Sequence, residues 1–193
     1  MQYKISLTDF IEVVHRSGTP RATMARNILE RTDYHPYQDY YKPLREQIIE
    51  VHRKSSSKSE LRNLLASTST KKQNNYKRLI DAYCSWWGYK KPTWFKPPRS
   101  SYTHANITVN INPELGLSFN GSDHVIKLYF KSRKLSKQKA DLISGLMSMK
   151  LKTKAKICVL DILERKLFVP TIQIPGLKQA VDAELAYLSA FTS

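Results

Sequence analysis

At 193 residues and 41% hydrophobic, the chain is long enough to bury an ordinary core as one domain or two small ones. Its 32 Lys and Arg against 16 Asp and Glu leave a formal charge of +16, which excludes a charge-balanced surface and points to a polyanionic partner, nucleic acid first. No run of about 18 apolar residues is present to span a membrane, and MQYKISLTDFIEVV lacks the apolar stretch of a secretion signal, so a cytoplasmic protein with no membrane partner is expected.

The excess charge sits in two windows. Lys71 to Arg99 holds 8 basic residues and one acid, Asp81, and Lys127 to Lys156 holds 10 basic residues and one acid, Asp141, so the rest of the chain is neutral. The two cysteines, Cys84 and Cys158, lie far apart without a CxxC or Cys/His spacing, which predicts reduced core thiols and no zinc.

In chain order, Ser6 with Asp9 reads as a capping box opening a helix with Leu7, Phe10, Ile11 and Val14 on one stripe, ended by Gly18. Thr19-Pro20 opens a short helix with Met24 and Ile28 inward. Asp33 to Tyr41 is a Pro-broken aromatic loop, followed by a helix carrying Leu44, Ile48 and Val51 at helical spacing. Ser57 to Glu60 predicts a further capped helix before Leu61, Leu64 and Leu65. A longer helix then presents Tyr76, Leu79, Ile80, Tyr83 and Trp87 on one face.

It runs into WWGYKKPTWFKPPR, Trp86 to Arg99, where three prolines and Gly88 argue against regular structure. Aromatic rings beside a basic track hold single-stranded nucleic acid by stacking, which is the functional reading of Trp86, Tyr89, Trp94 and Phe95 among Lys90, Lys91 and Lys96. The same rings also suit a core role, with Trp87 on the apolar helix face and Trp94-Phe95 at the join of the two halves.

From Ala105 the hydrophobic period becomes two. Ile107, Val109 and Ile111 mark a strand, and Asn120-Gly121 between alternating runs marks a type I′ hairpin. With that turn, Phe119 pairs with Ser122, Leu117 with His124, Leu115 with Ile126 and Glu114 with Lys127. Leu115, Leu117, Phe119, Ile126, Leu128 and Phe130 then face the core, and Lys127, Tyr129 and Lys131 face outward. His124, opposite Leu117, is expected to be a partly buried histidine with its hydrogen bonds satisfied.

Ser136 caps a helix whose first turn holds Lys137 and Lys139 against the helix dipole, as a surface reserved for an anion would require. ICVLDILERKLFV reads as two strands turning at Glu164-Arg165, and a last helix carries Leu177, Val181, Leu185 and Leu188 on one side. The predicted class is α+β: a helical N-terminal half, 1–97, ending in the basic aromatic segment, then a mostly antiparallel sheet, β-β-β-α-β-β-α, with packed helices over 98–193, as two regions or one co-folded domain.

Phosphate-binding glycine loops, GxSxG and HExxH are absent. The hairpin, with Glu114, Asp123 and Lys127 on adjacent strands, resembles that of the PD-(D/E)XK nucleases, which place acids and a lysine there. That resemblance implies a Mg²⁺-dependent nuclease with Glu114, Asp123, Lys127 and Asp161 as its site. The chain departs from the pattern at Val125, where the family has an acid two positions before the lysine. Glu114 and Asp123 would also lie about 13 Å apart at ~3.3 Å per residue, so a metal needs Asp161 to approach Glu114.

The preferred reading is a non-catalytic protein that binds nucleic-acid backbone phosphates, single-stranded or RNA, where the two windows converge. It uses Lys77, Arg78, Trp86, Tyr89, Lys90, Lys91, Lys96 and Arg99 from the first, and Lys127, Tyr129, Lys131, Arg133, Lys134, Lys137 and Lys139 from the second, without cofactor. A scaffold or complex subunit, docking a protein partner through the C-terminal helix, is the alternative, and the nuclease the second.

Overall fold

The computed structural model describes residues 2–31, 39–170 and 175–192. Positions 33–38 of the aromatic loop expected at Asp33 to Tyr41 lie outside them. The described residues form an α+β fold with two sheets. One has three strands, β1 (Tyr3–Ser6), β4 (Ile107–Ile111) and β3 (Ser100–His104), in the order β1-β4-β3. The other has five: β2 (Thr93–Phe95), β5 (Leu115–Phe119), β6 (Ser122–Tyr129), β7 (Lys156–Asp161) and β8 (Lys166–Phe168), in the order β2-β5-β6-β7-β8.

Four of the six strand pairings are antiparallel. β1 with β4 and β6 with β7 are parallel. The second parallel pair requires a crossover, and α5 (Lys137–Lys150) supplies it by carrying the chain back along the sheet. Strands from both sides of residue 97 share sheets, since β1 lies on β4 and β2 on β5.

The N-terminal helices form where the apolar spacing indicated. At α1 (Leu7–Val14), the Ser6 hydroxyl accepts from the Asp9 N–H, while the Asp9 carboxylate accepts from the Ser6 N–H, a complete capping box. Gly18, with φ +58, opens α2 (Gly18–Leu29) rather than closing α1, which already ends at His15. α3 (Lys42–Arg53) buries Leu44, Ile48 and Val51, and α4 (Thr70–Trp87) buries Tyr76, Leu79, Ile80 and Tyr83. The expected fourth helix is a 3-10 helix, Lys58–Ser67, with only Leu61 buried.

The hairpin has the expected register, with Phe119 opposite Ser122, Leu117 opposite His124 and Leu115 opposite Ile126. Asn120 and Gly121 take φ of 50° and 71°, the positive pair that a type I′ turn demands. Three strands escaped the sequence reading: β1, β3 and β2, the last lying between Pro92 and Pro97 in the segment expected to be irregular. Pro is tolerated there because β2 is an edge strand.

The five-stranded sheet is covered on both faces. One face, with Leu115, Leu117, Ile126, Leu128, Cys158 and Leu160, packs on α3, the 3-10 helix and α4. The other face, with Val125, Tyr129, Ile157 and Val159, packs into a second core made by α1, α2, α5, α6 (Leu177–Ser189) and the three-stranded sheet.

This arrangement gives the sheet two distinct ends. At the tip end lie the Asn120-Gly121 turn and the starts of β2 and β7, because Thr93 pairs with Ser118 and Lys156 with His124. The far end holds the start of β5, the exits of β6 and β7, and the loop into α5.

Candidate nucleic-acid interface

The far end holds most of the second basic window, and there the structure departs from expectation. Lys127 and Tyr129 are buried, 2% and 3% exposed, because the face expected to meet solvent is covered by the second core. Lys127 Nζ lies 2.5 Å from the Glu114 carboxylate, whose other oxygen accepts from the Leu128 N–H at 2.8 Å. Both oxygens of Glu114 are thereby used.

The remaining cations of this end meet partners from distant segments. Lys131 pairs with Glu12 at 2.6 Å and lies over the Tyr41 ring, and Glu12 also holds Arg16. Burial works against ionisation of Glu12, but the Lys131 and Arg16 hydrogen bonds outweigh it and hold the carboxyl below its ordinary range. Lys134 pairs with Glu164 at 2.8 Å and Lys137 with Asp141 at 2.5 Å. Arg133 and Lys139 donate to the His15 carbonyl at the end of α1, at 3.2 and 2.7 Å. The lysines in the first turn of α5 are thus accounted for by Asp141 and by α1, without an external anion.

Beside these groups opens a cleft of about 850 Å³, with Glu114 and Lys127 in its lining and Glu12, Arg16, Arg31 and Arg45 around it. Each of those arginines also has an acid: Arg16 has Glu12, Arg31 has Asp9 at 2.9 Å, and Arg45 has Asp39 at 2.7 Å. The cleft keeps a positive excess, because Lys4, Arg16, Arg31, Arg45, Lys127 and Lys131 face Asp9, Glu12, Asp39 and Glu114, and Arg16 and Lys131 share Glu12.

The nuclease constellation does not assemble. Asp161 is 1% exposed and its two oxygens accept from the N–H groups of Leu135 and Glu164, so its carboxylate organises the loops leaving β6 and β7. Burial raises its pKa despite those bonds. Asp123 is near the hairpin tip, bound to the Ser118 hydroxyl at 2.5 Å. Val125, where the family has an acid, is fully buried among apolar side chains. No three His, Cys, Asp or Glu among the described residues are grouped to hold a metal ion.

The first window divides between core and surface. Trp86, expected as a stacking ring, is 8% exposed and packs on Tyr83 and edge-on against Phe119. Trp87 is buried as expected, stacked on His52. Lys90 is half-buried: its ammonium donates to the Trp86 carbonyl and lies over the Trp86 ring, closing the C-terminus of α4. Lys77 is exposed and 3.4 Å from Asp81. Arg78, Lys91, Lys96 and Arg99 are exposed, and no acid meets them among the described residues. Lys96 and Arg99 follow β2, whose end pairs with Gly116, and so leave toward the far end.

Both windows also reach the tip end of the sheet. Lys91 stands two residues before β2, while Lys152 and Lys154 precede β7 on the far side of the hairpin. All three are exposed and without an acid among the described residues. Lys156 opens β7 and donates to the Ser122 hydroxyl at 3.1 Å. Beneath it, His124 stacks on Phe119 with ring centroids 4.1 Å apart, and its Nδ1 has no hydrogen-bond partner among the described residues, contrary to expectation. Burial and the neighbouring Lys156 hold its pKa down, although backbone hydrogen bonds act in the opposite direction. The sequence window ending at Lys156 contained these lysines, but Lys152, Lys154 and Lys156 were not singled out. The lysine-rich link Lys150 to Lys156 between the predicted helix and strand was the available signal.

Elsewhere, Cys158 is buried and Cys84 half-buried, both as free thiols, and burial pushes the Cys158 thiol up to about 12. The apolar side of α6, the helix expected to dock a partner, is turned inward, with Val181, Leu185 and Leu188 fully buried in the second core, so a partner would meet its other side. No helix among the described residues is long and apolar enough to cross a membrane. The chain matches no known protein-family model and no curated protein.

Proposed function

We propose that the protein binds nucleic acid through its backbone phosphates at the tip end of the five-stranded sheet, without catalysing a reaction. The observation that carries this reading is that Lys91, before β2, and Lys152 and Lys154, before β7, stand at the same end of the sheet, three exposed lysines from two windows that have no acid partner among the described residues, with Lys156 opening β7. Unneutralised ammonium groups along one rim release condensed counterions when phosphates bind. The far end is the weaker candidate because Lys127, Lys131, Lys134 and Lys137 pair there with Glu114, Glu12, Glu164 and Asp141, and Arg133 and Lys139 are tied to the His15 carbonyl, which leaves Lys96 and Arg99 as its exposed cations without an acid among the described residues.

Catalysis is left out because Glu114 and Asp161 each have both oxygens committed within the fold. A cytoplasmic location agrees with such a ligand. The test is fluorescence anisotropy of labelled DNA and RNA strands across a salt series. The expected result is binding whose log affinity falls with log salt by about 0.7 for each phosphate contacted on a single strand. Absence of binding at low salt would overturn the reading.

A further inference from the structure

We infer that Tyr89 is a base-stacking ring and that the tip surface takes a single-stranded stretch of nucleic acid, a deepening that rests on the nucleic-acid reading above. Tyr89 is 103% exposed; among the described residues the other exposed large hydrophobic is Val169, at 49%. A tyrosine ring fully in water gains nothing from the fold, so its position invites a role outside the core.

The turn that presents the ring is built. Gly88 takes φ +56 and donates its N–H to the Cys84 carbonyl at 3.0 Å, ending α4 abruptly. On the other side of Tyr89, the Lys90 N–H donates to the Trp87 carbonyl at 3.1 Å, and the Trp87 indole N–H returns a bond to the Lys90 carbonyl at 3.0 Å. Lys58 adds a bond from its ammonium to the Gly88 carbonyl at 2.6 Å. Both neighbours of Tyr89 are therefore fixed, and binding a base orders only the tyrosine side chain, with its two rotatable bonds.

Cations cluster at this turn. Lys58, Lys90 and Lys91 surround the turn, and the Lys90 ammonium is held below the ordinary lysine range by burial first and by Lys58 second. Two ammonium groups close enough to perturb one another favour an anion beside them.

The number of free rings defines the ligand. Trp86 and Trp87 are buried and Trp94 is half-buried, so this segment offers one stacking platform, not a track of several. In duplex interior every base face is covered by its neighbours, so a side-chain ring stacks only on an unpaired or terminal base. From Tyr89 the rim continues across β2, β5, β6 and β7, three strand spacings or about 14 Å, to Lys152, Lys154 and Lys156. That span accommodates about four nucleotides at the ~3.4 Å step of a stacked strand.

The experiment compares a fluorescein-labelled oligothymidylate with a long duplex of two annealed strands, whose terminal pairs are a small fraction of its sites, in low-salt anisotropy titrations, using the wild type, Tyr89→Ala and Tyr89→Phe. The exposed position leaves folding intact, which a thermal melt by circular dichroism checks. The expected result is that Tyr89→Ala weakens strand binding about tenfold, the loss of one base stack, while Tyr89→Phe retains it and duplex binding is unchanged. Strand binding that is indifferent to Tyr89→Ala overturns this inference and leaves phosphate binding standing. No binding of either probe overturns both.

Discussion

At the far end of the central sheet, Arg133 and Lys139 reach a carbonyl 118 and 124 residues away in sequence, and Lys131 reaches Glu12. At the tip end, Lys91, Lys152 and Lys154 meet no acid among the described residues. Both ends look alike as local sequence, since each is rich in lysine and poor in acids. Three-dimensional pairing separates their lysines: at the far end Lys127, Lys131, Lys134 and Lys137 meet acids while Lys96 and Arg99 stay without one among the described residues, and at the tip end Lys91, Lys152 and Lys154 are left to solvent. A basic window in sequence is thus a statement about neighbours along the chain, while a basic surface is a statement about neighbours in space.

Removing a cation from the core of the far end sharpens that contrast most. Lys127→Met leaves the Glu114 carboxylate buried without its counter-charge, and urea denaturation should show a loss of about 3–5 kcal/mol. Adding Glu114→Gln should recover much of it, because the amide oxygen still accepts from the Leu128 N–H while the buried charge is gone. A Lys127→Met variant as stable as the wild type would break the comparison from the structural side.

Acid provides a second, smaller probe. His15 and His52 have folded-state values lowered to about 4, His15 by burial and then by Lys139 and Arg133, and His52 by burial. Both are neutral in the fold and protonate in the unfolded chain from about pH 6.5, so their stabilisation is complete above that pH and disappears as pH falls toward about 4. Within the window, each group removes at most about 1.4 kcal/mol per pH unit. Glu12, with its lowered value, adds a further loss once pH falls below its ordinary range, and Asp161, with its raised value, acts in the opposite sense. Thermal melts should fall steadily from about pH 7 to about pH 5. His52→Gln, which cannot take up the proton, should flatten that fall, and an equally steep fall in this variant would refute the assignment to His52.

Exposed pairs should matter least. Lys134→Ala breaks a contact whose lysine is 76% exposed, and its cost in urea denaturation is expected to be below about 1 kcal/mol. Lys154→Ala at the tip should cost nothing beyond about 0.5 kcal/mol. A large loss at Lys154 would mean that the tip, too, is structural.

Much of the fold was legible because it is written locally. The Asn120-Gly121 turn fixed the register of β5 on β6, Ser6 and Asp9 fixed the start of α1, and apolar spacing marked α3 and α4. Two-sided burial of β6 was not recognised, although the run Val125-Ile126 before Lys127 and Leu128-Tyr129-Phe130 after it is the near-continuous apolar pattern of a strand covered on both faces. Reading that run as simple alternation sent Lys127 and Tyr129 outward. β1 and β2 are three or four residues long and take their stability from β4 and β5, so no local signal defined them. The site suffered in the same way: acids in a window can be counted from sequence, but the approach of Glu12 and Glu164 to Lys131 and Lys134 follows from the packing of α1 and the turn after β7.

The most direct measurement is a paired salt titration of binding to a labelled single strand, with Lys91, Lys152, Lys154 and Lys156 changed together to Gln in one variant and Lys131, Lys134 and Lys137 in another. The two-ended account predicts that the tip variant loses up to about 3 units of the log–log salt slope, at ~0.7 per contact, while the far-end variant keeps the wild-type slope. An unchanged tip variant, or a far-end variant that loses the slope instead, would contradict it.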